Sequence, residues 1–135
     1  MLKDFFTIAH VDDILMAGSG ASILALKEHL AKRFKFKDLG IARRFTGVII
    51  NRDRQNRRLF IDQVPYVMEI LEDHKMQNCT PSAIPMDPKQ TWEIKDSDTM
   101  LNDKEIKLYQ RTIGQLMYLM LGTRPDICYA VTKLA

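Results

Sequence analysis

The feature that most constrains the fold is a pair of adjacent aspartates between two short apolar runs. The first run ends at Val11. The two aspartates, Asp12 and Asp13, follow it, and the second run extends from Ile14 to Ala17. Two strand-like runs separated by so few residues predict a tight β-hairpin with both carboxylates at its tip. Neighbouring carboxylates repel each other unless a cation or hydrogen-bond donors offset the repulsion. The spacing alone leaves two interpretations open: a cation site, or ordinary turn chemistry in which aspartate bonds its own backbone.

The residues around this tip predict a small sheet covered by a helix. We expect the hairpin strands at residues 2–9 and 14–17. A helix should follow over residues 22–34, capped by Ser19 or Ser22. Its apolar face would consist of residues three or four apart along the chain. These are Ile23, Leu26, Leu30 and Phe34.

More strands are expected after this helix. Residues 34–37 alternate between apolar and basic side chains, which predicts a short strand that ends at Asp38-Leu39-Gly40. Residues 45–51 and 59–62 predict a second hairpin. Its connecting loop contains Arg52, Arg54, Arg57 and Arg58, interrupted by an aspartate. This loop is either a solvated, charge-rich turn or a phosphate contact, to which arginine is well suited.

The second half of the chain is predicted to be helical. Asp62 can cap a helix that continues to about Met76, and the prolines of residues 80–88 favour an extended segment. Residues 89–103 are polar and predict a surface linker, with Trp92 as a possible anchor.

A capping box then begins a long helix. Asn102 and Glu105 form this box, and the helix should end near Leu121. Gly114 inside the helix suggests a close helix contact, and Gly122 suits a C-terminal cap. A last helix should start at Pro125.

The composition excludes several classes of protein. No apolar run reaches the roughly 18 residues of a membrane span, and charged residues interrupt the N-terminus where a signal peptide would be apolar. Cys79 and Cys128 lie far apart, and with His10, His29 and His74 they match no zinc spacing. We therefore expect an intracellular protein without a membrane partner, in the cytoplasm, the nucleus or a virus-like particle. The formal net charge of +3 permits nucleic-acid binding without requiring it.

Several ordered segments resemble one family. His10-Val11-Asp12-Asp13 followed by Ile14-Leu15-Met16-Ala17-Gly18 resembles the Tyr-Val-Asp-Asp hairpin of reverse transcriptases, in the version found in copia-type retrotransposons. Five further segments are similar to landmarks of that family, in its order. They are Lys37-Asp38-Leu39-Gly40, Phe45-Thr46-Gly47, Gln63-Val64-Pro65-Tyr66, Pro85-Met86-Asp87-Pro88 and Thr123-Arg124-Pro125-Asp126-Ile127.

The resemblance implies a site and its ligands. Asp12 would be a catalytic metal ligand with Asp13 in support, and two Mg²⁺ ions would serve nucleotidyl transfer in the full-length enzyme. His10 and Val11 would lie against the primer–template, although the family usually has tyrosine at the position of His10. The loop from Arg52 to Arg58 would correspond to the primer grip. Partners would be an RNA or DNA primer–template, deoxynucleoside triphosphates and an upstream fingers and palm segment.

The resemblance also implies a fold and a division of the chain. We expect an α+β fold: a partial palm at residues 1–62, a thumb-like helix and proline-rich segment at 63–88, a linker at 89–103 and a helical segment at 104–135. The family's third aspartate lies upstream of the hairpin, so we expect at most weak metal binding and no activity from this chain alone.

Three functional hypotheses remain open at this point. The chain is a fragment of a retrotransposon reverse transcriptase, a degenerate remnant with at most weak nucleic-acid binding, or a scaffold whose apolar faces await another domain. Free strand edges and uncovered apolar faces would also favour self-association.

Overall fold

The computed structural model describes residues 5–91 and 100–135. The chain divides into two compact units, Met1–Ile61 and Asp62–Ala135. Small antiparallel sheets and helices occur together, so the predicted α+β class is confirmed. Trp92 and most of the predicted linker lie outside the described residues. No helix within the described ranges has both the length and the apolar character needed to cross a bilayer.

The first unit begins with the predicted aspartate hairpin. Strand β1 (Phe5–His10) pairs with β2 (Asp13–Gly18) in an antiparallel register that runs from Phe5 opposite Gly18 to His10 opposite Asp13. Helix α1 (Gly20–Ala31) follows at once. Its predicted cap is confirmed, because the Ser19 side chain accepts a hydrogen bond from the Ser22 backbone N–H at 3.2 Å.

A three-stranded sheet completes the first unit. Its order is β3 (Arg44–Phe45), β4 (Val48–Asp53) and β5 (Arg58–Asp62). The predicted second hairpin is confirmed as β4 and β5, but its first strand does not begin at residue 45, because Thr46 and Gly47 form a tight turn between β3 and β4. Their φ values are 45° and 83°, and two positive values are what a type I′ hairpin turn requires.

The strand predicted at residues 34–37 is wrong. The Phe34 backbone N–H bonds to the Leu30 carbonyl at 2.9 Å, so this residue still closes the end of α1. Residues 34–40 then form neither helix nor strand, and they are exposed. An alternating pattern forms a strand only where a neighbouring strand supplies hydrogen bonds, and sequence alternation alone does not reveal the neighbour.

The second unit is helical. It contains α2 (Val64–Asp73), α3 (Asp103–Gly122), a 3₁₀ turn (Pro125–Ile127) and α4 (Cys128–Leu134). Helix α2 ends earlier than the predicted Met76, because Lys75 takes a left-handed φ of 56°. The predicted capping box is confirmed, since the Asn102 side chain accepts from the Glu105 backbone and the Glu105 carboxylate accepts from the Asn102 backbone.

The buried apolar side chains of the described residues all belong to the second unit. They are Ile70, Ile113, Leu119, Ala130 and Val131. Tyr66 and Tyr118 add an edge-to-face contact with ring centroids 5.0 Å apart. Gly114 does not mark a close contact as expected, because no described atom beyond its chain neighbours and the backbone of its own helix lies within 4 Å of where its Cβ would be.

Candidate functional site

The aspartate hairpin turns with only two residues, Val11 and Asp12. His10 and Asp13 are the last paired residues, and opposite residues of an antiparallel pair carry their side chains on the same face. Val11 adopts a φ of 51°, which is rare for a β-branched residue, and its side chain is 90% exposed. The structure therefore gathers His10, Val11, Asp12 and Asp13 on one strained, solvent-facing tip.

Both carboxylates of this tip are open to solvent. Asp12 and Asp13 are exposed, and neither side-chain carboxylate forms a hydrogen bond or ion pair with another described residue. A turn aspartate normally bonds nearby backbone N–H groups, as Asp38 does with Gly40 at 2.9 Å. The ordinary turn interpretation thus has no hydrogen bond to support it here, and the carboxylate oxygens keep their full capacity as acceptors or ligands.

The donor chemistry of the tip suits Mg²⁺, but the set is incomplete. Carboxylate oxygens are the ligands that Mg²⁺ prefers. Within residues 5–91 and 100–135, however, no three histidine, cysteine, aspartate or glutamate side chains gather into a group that could hold a metal. Two carboxylates on one tip are too few to hold two octahedrally coordinated Mg²⁺ ions. The described residues of this chain therefore do not form a complete site for metal-dependent catalysis.

The arginine loop, residues 52–58, comprises the end of β4, the turn and the first residue of β5, and Asp53 organises it. One oxygen of Asp53 accepts from the backbone N–H groups of Gln55 and Asn56, each at 3.1 Å, and the other accepts from the Asn56 side chain at 2.6 Å. These hydrogen bonds hold the pKa of Asp53 below its usual range, and the bond from the Asn56 side chain has the largest effect. The aspartate that interrupts the basic run therefore shapes the loop.

Asp53 is a residue whose role the sequence analysis missed. An aspartate followed two and three residues later by Gln55 and Asn56 is a signal for a side-chain-capped turn, and it was available in the sequence. Arg57 takes a left-handed φ of 52° in this turn. The four guanidinium groups of the loop are exposed, and none forms an ion pair within the described part of the chain. The loop thus presents four uncompensated cations.

A buried polar contact lies in the second unit, where the sequence analysis expected only helix ends. Gln63 is 2% exposed, and its Oε1 accepts a hydrogen bond from the Thr123 hydroxyl at 2.9 Å. Gly122 lies directly against it, since a Cβ at Gly122 would collide with the Gln63 side-chain amide. Gly122 is thus needed for a close approach and not for the left-handed cap that its position suggested. Two of the quoted landmark segments meet in this contact.

Comparison with known proteins identifies relatives over nearly the whole chain. The sequence model of the family described as reverse transcriptase (RNA-dependent DNA polymerase) matches residues 4–88, more than half of the chain. The retrovirus-related Pol polyprotein from transposon TNT 1-94 of Nicotiana tabacum is 36% identical over 92% of the chain, and that from transposon RE1 of Arabidopsis thaliana is 30% identical over 96%. An uncharacterized mitochondrial protein of Arabidopsis thaliana is 34% identical over 93%.

The matched lengths show that the relatives extend well beyond this region. The chain spans 10% of the tobacco polyprotein, 50% of the mitochondrial protein and 8% of the RE1 polyprotein. No solved structure has significant similarity to the chain. The family match includes both the aspartate hairpin and the arginine loop. The chain belongs to the reverse transcriptase family, in its copia-type retrotransposon version.

Proposed function

We propose that this chain supplies the Asp-Asp hairpin to the active site of a longer RNA-directed DNA polymerase. The observation that carries the proposal is a pair of exposed carboxylates at a two-residue turn, those of Asp12 and Asp13, which have no partner among the described residues, in a chain of the reverse transcriptase family. In the longer enzyme Asp12 would be a metal ligand, and Asp13 would support it from the start of β2. Further carboxylate ligands would come from outside the hairpin.

The remaining tip residues would face the nucleic acid. Val11 projects from the turn, and His10 lies opposite Asp13 on the last strand pair. The smaller, polar imidazole can stack and donate a hydrogen bond where the family usually has tyrosine. Mg²⁺ ions bound by the completed site would activate the primer hydroxyl and stabilise charge on the triphosphate. The protein's own contribution is to hold two carboxylates on a rigid hairpin.

The two compact units suggest a correspondence with the parts of a polymerase. We assign the first unit to part of the palm, because it contains the aspartate hairpin and the arginine loop. The second unit would be thumb and connection, because it is helical and follows directly. Asp53 pre-orders the arginine loop, so its four cations are placed to contact primer–template phosphates without paying the full cost of ordering the loop on binding.

A second candidate function, a degenerate remnant without activity, is not favoured. Similarity to transposon Pol polyproteins extends over more than nine tenths of this chain, and both hairpin aspartates are present. The hypothesis of a scaffold that only binds another domain does not explain why two exposed carboxylates occupy the tip of a strained turn.

Primer extension tests the proposal. Residues 1–135 alone, with Mg²⁺, an RNA template, a DNA primer and all four nucleotides, should give no measurable extension, because two carboxylates are too few. A longer protein that joins a matching upstream segment, with its own aspartate, to this chain should extend the primer. In that protein Asp12→Asn should abolish extension and leave the affinity for the duplex largely unchanged.

Glu28→Gln is the matched control, since it removes the same charge from an exposed site in the same unit. It should retain the extension rate of the longer protein. Extension by residues 1–135 that is lost on Asp12→Asn would contradict the need for upstream ligands. Full activity of Asp12→Asn in the longer protein would contradict the role of the hairpin.

A further inference from the structure

Positive charge is concentrated in the first unit. Residues 5–61 contain 11 basic residues (lysine or arginine) and five acidic residues (aspartate or glutamate). The described residues from 62 onward contain seven basic and eight acidic residues. The modest net charge of the whole chain conceals this separation. Four of the cations are in the arginine loop, and a larger group lies elsewhere in the same unit.

This larger group occupies residues 32–44, here named the basic–aromatic segment. Its cations are Lys32, Arg33, Lys35, Lys37, Arg43 and Arg44, and all of them are exposed. The segment has one acidic residue, Asp38, and none of the six cations forms an ion pair with any carboxylate of the described chain.

Asp38 is neutralised from outside the segment. Lys27 of α1 donates to Asp38 Oδ2 at 2.6 Å, and the Gly40 backbone N–H donates to Oδ1 at 2.9 Å. These bonds hold the pKa of Asp38 below its usual range, and the bond from Lys27 has the largest effect. The carboxylate therefore stays ionised and paired. The bond to Lys27 ties the segment to α1, and the left-handed φ of Gly40 turns the chain there. The six cations therefore face solvent without an opposing charge in the segment.

Two aromatic rings stand among these cations. Phe34 is 62% exposed and Phe36 is 43% exposed, and neither ring contacts another aromatic ring within the described residues. The backbone from 34 to 40 is irregular, so it can follow the contour of a ligand strand. Exposed rings that alternate with lysines offer flat apolar faces and phosphate contacts at adjacent positions.

We propose that the basic–aromatic segment binds single-stranded nucleic acid by stacking bases on Phe34 and Phe36 and pairing phosphates with the flanking cations. Single strands fit because stacking on a side chain needs bases that are not already stacked in a duplex. An apolar protein surface would fit the rings but would require six cations to lose water without a partner, which is costly. The segment shares no residue with the aspartate hairpin or the arginine loop.

Fluorescence anisotropy with the 135-residue chain and a labelled oligothymidylate tests the proposal. Replacing Lys32, Arg33, Lys35 and Lys37 with Gln should weaken binding and reduce the slope of log affinity against log salt by about 2 to 3, since each single-strand phosphate contact contributes roughly 0.7. Phe34→Ala with Phe36→Ala should weaken binding by about fivefold or more and leave that slope unchanged, because base stacking does not release counterions.

Two controls separate this site from general attraction to a basic protein. Replacing Lys75, Lys104, Lys107 and Lys133 with Gln removes the same charge from exposed, unpaired positions of the second unit, and it should change affinity and slope much less. Photo-crosslinking of a 5-iodouracil oligonucleotide to the unmodified chain should label Phe34 or Phe36, whether or not the variants fold.

The proposal would be overturned if the variant of the basic–aromatic segment and the control variant of the second unit weakened oligonucleotide binding equally. Crosslinks confined to residues other than Phe34 and Phe36 would also overturn it. Binding of an acidic peptide in place of the oligonucleotide, with the same dependence on the two rings, would also overturn it. The assay measures binding only. The binding proposal can therefore be wrong while the aspartate hairpin still supports primer extension. Conversely, the segment can bind the oligonucleotide while primer extension fails.

Discussion

Val11 shows how a single residue determines the geometry of the candidate site. Its φ of 51° is unfavourable for a β-branched residue and costs on the order of 1–3 kcal/mol. The strand pairs from Phe5 to His10 impose it, because their register leaves only two residues for the turn. Asparagine and glycine, which normally mark such turns, are absent at Val11-Asp12. The sequence therefore predicts a tight hairpin, with strands at residues 2–9 and 14–17, but not that its turn has only two residues.

Gln63 and Gly122 allow a prediction that tests packing in the second unit. Gly122→Ala should destabilise the chain by about 1–2 kcal/mol, because the new methyl group must displace the buried Gln63 amide from Thr123. In a Gln63→Ala background the same change should be neutral or slightly stabilising, since the space is then free and alanine favours helix. Urea unfolding of the four proteins measures this coupling.

Gly114→Ala is the control for Gly122→Ala. Both glycines lie in α3, but no described atom beyond the chain neighbours and the backbone of α3 lies within 4 Å of the Gly114 Cβ position. Alanine at residue 114 should therefore raise the free energy of unfolding by about 0.5–1 kcal/mol. Additive effects of Gly122→Ala and Gln63→Ala would show that the two side chains do not meet as the structure places them.

At the scale of elements, helices are predicted more accurately than strands, and capping explains why. The signals that start α1 and α3 are local: Ser19 bonds to Ser22, and Asn102 exchanges hydrogen bonds with Glu105. The strand predicted at residues 34–37 has the right alternation and no partner. The strand predicted at 45–51 is cut by a turn at Thr46-Gly47. Strands depend on neighbours that are often distant in sequence, so alternation alone overpredicts them.

The arginine loop carries the next prediction. Replacing Arg52, Arg54, Arg57 and Arg58 with Ala should weaken binding of a primer–template duplex and flatten its salt dependence by up to about 3 to 4 slope units, since each lost phosphate contact removes roughly 0.9. A salt titration of duplex affinity by fluorescence anisotropy measures both quantities. If the loop is only a solvated turn, affinity and slope will both stay unchanged.

Asp53→Ala provides a sharper version of this test. It removes a negative charge beside the arginines, which by itself would strengthen attraction to phosphates. It also removes the three hydrogen bonds that order the loop. If the loop binds as a preformed element, affinity should fall although the net charge rises. Tighter binding by Asp53→Ala would mean that charge alone matters and that loop geometry does not.

For the whole molecule, the two units differ in how well they bury apolar surface. All five buried apolar residues in the described chain belong to the second unit, although both units leave large apolar side chains exposed. Hydrophobic patterning predicted apolar faces in both units, but it cannot show whether another element covers them. The candidate site has the same limit: residue spacing left Asp12 and Asp13 ambiguous, and the role that we propose for them depends on the ordered landmarks of a family.

This exposure leads to the last prediction, that the chain self-associates. Phe6 and Ile8 are 78% and 55% exposed and lie two residues apart on β1, so they share one face of the hairpin. The β1–β2 sheet has only two strands among the described residues, which leaves a hydrogen-bonding edge on each strand. Apolar faces beside free strand edges favour pairing between chains. Sedimentation velocity across a concentration series should therefore show the average mass rising with concentration.

Replacing Phe6 and Ile8 with Thr should shift the chain toward monomer, because threonine keeps β-propensity and removes apolar surface. The matched control is Met100→Thr with Leu121→Thr, which removes two apolar side chains of the second unit that are more exposed than Phe6 and Ile8, and it should leave association nearly unchanged. Equal shifts from both pairs would attribute association to general surface hydrophobicity. A folded chain that stays monomeric at every concentration would contradict the prediction, and it would mean that the hairpin face is stable in water without a partner.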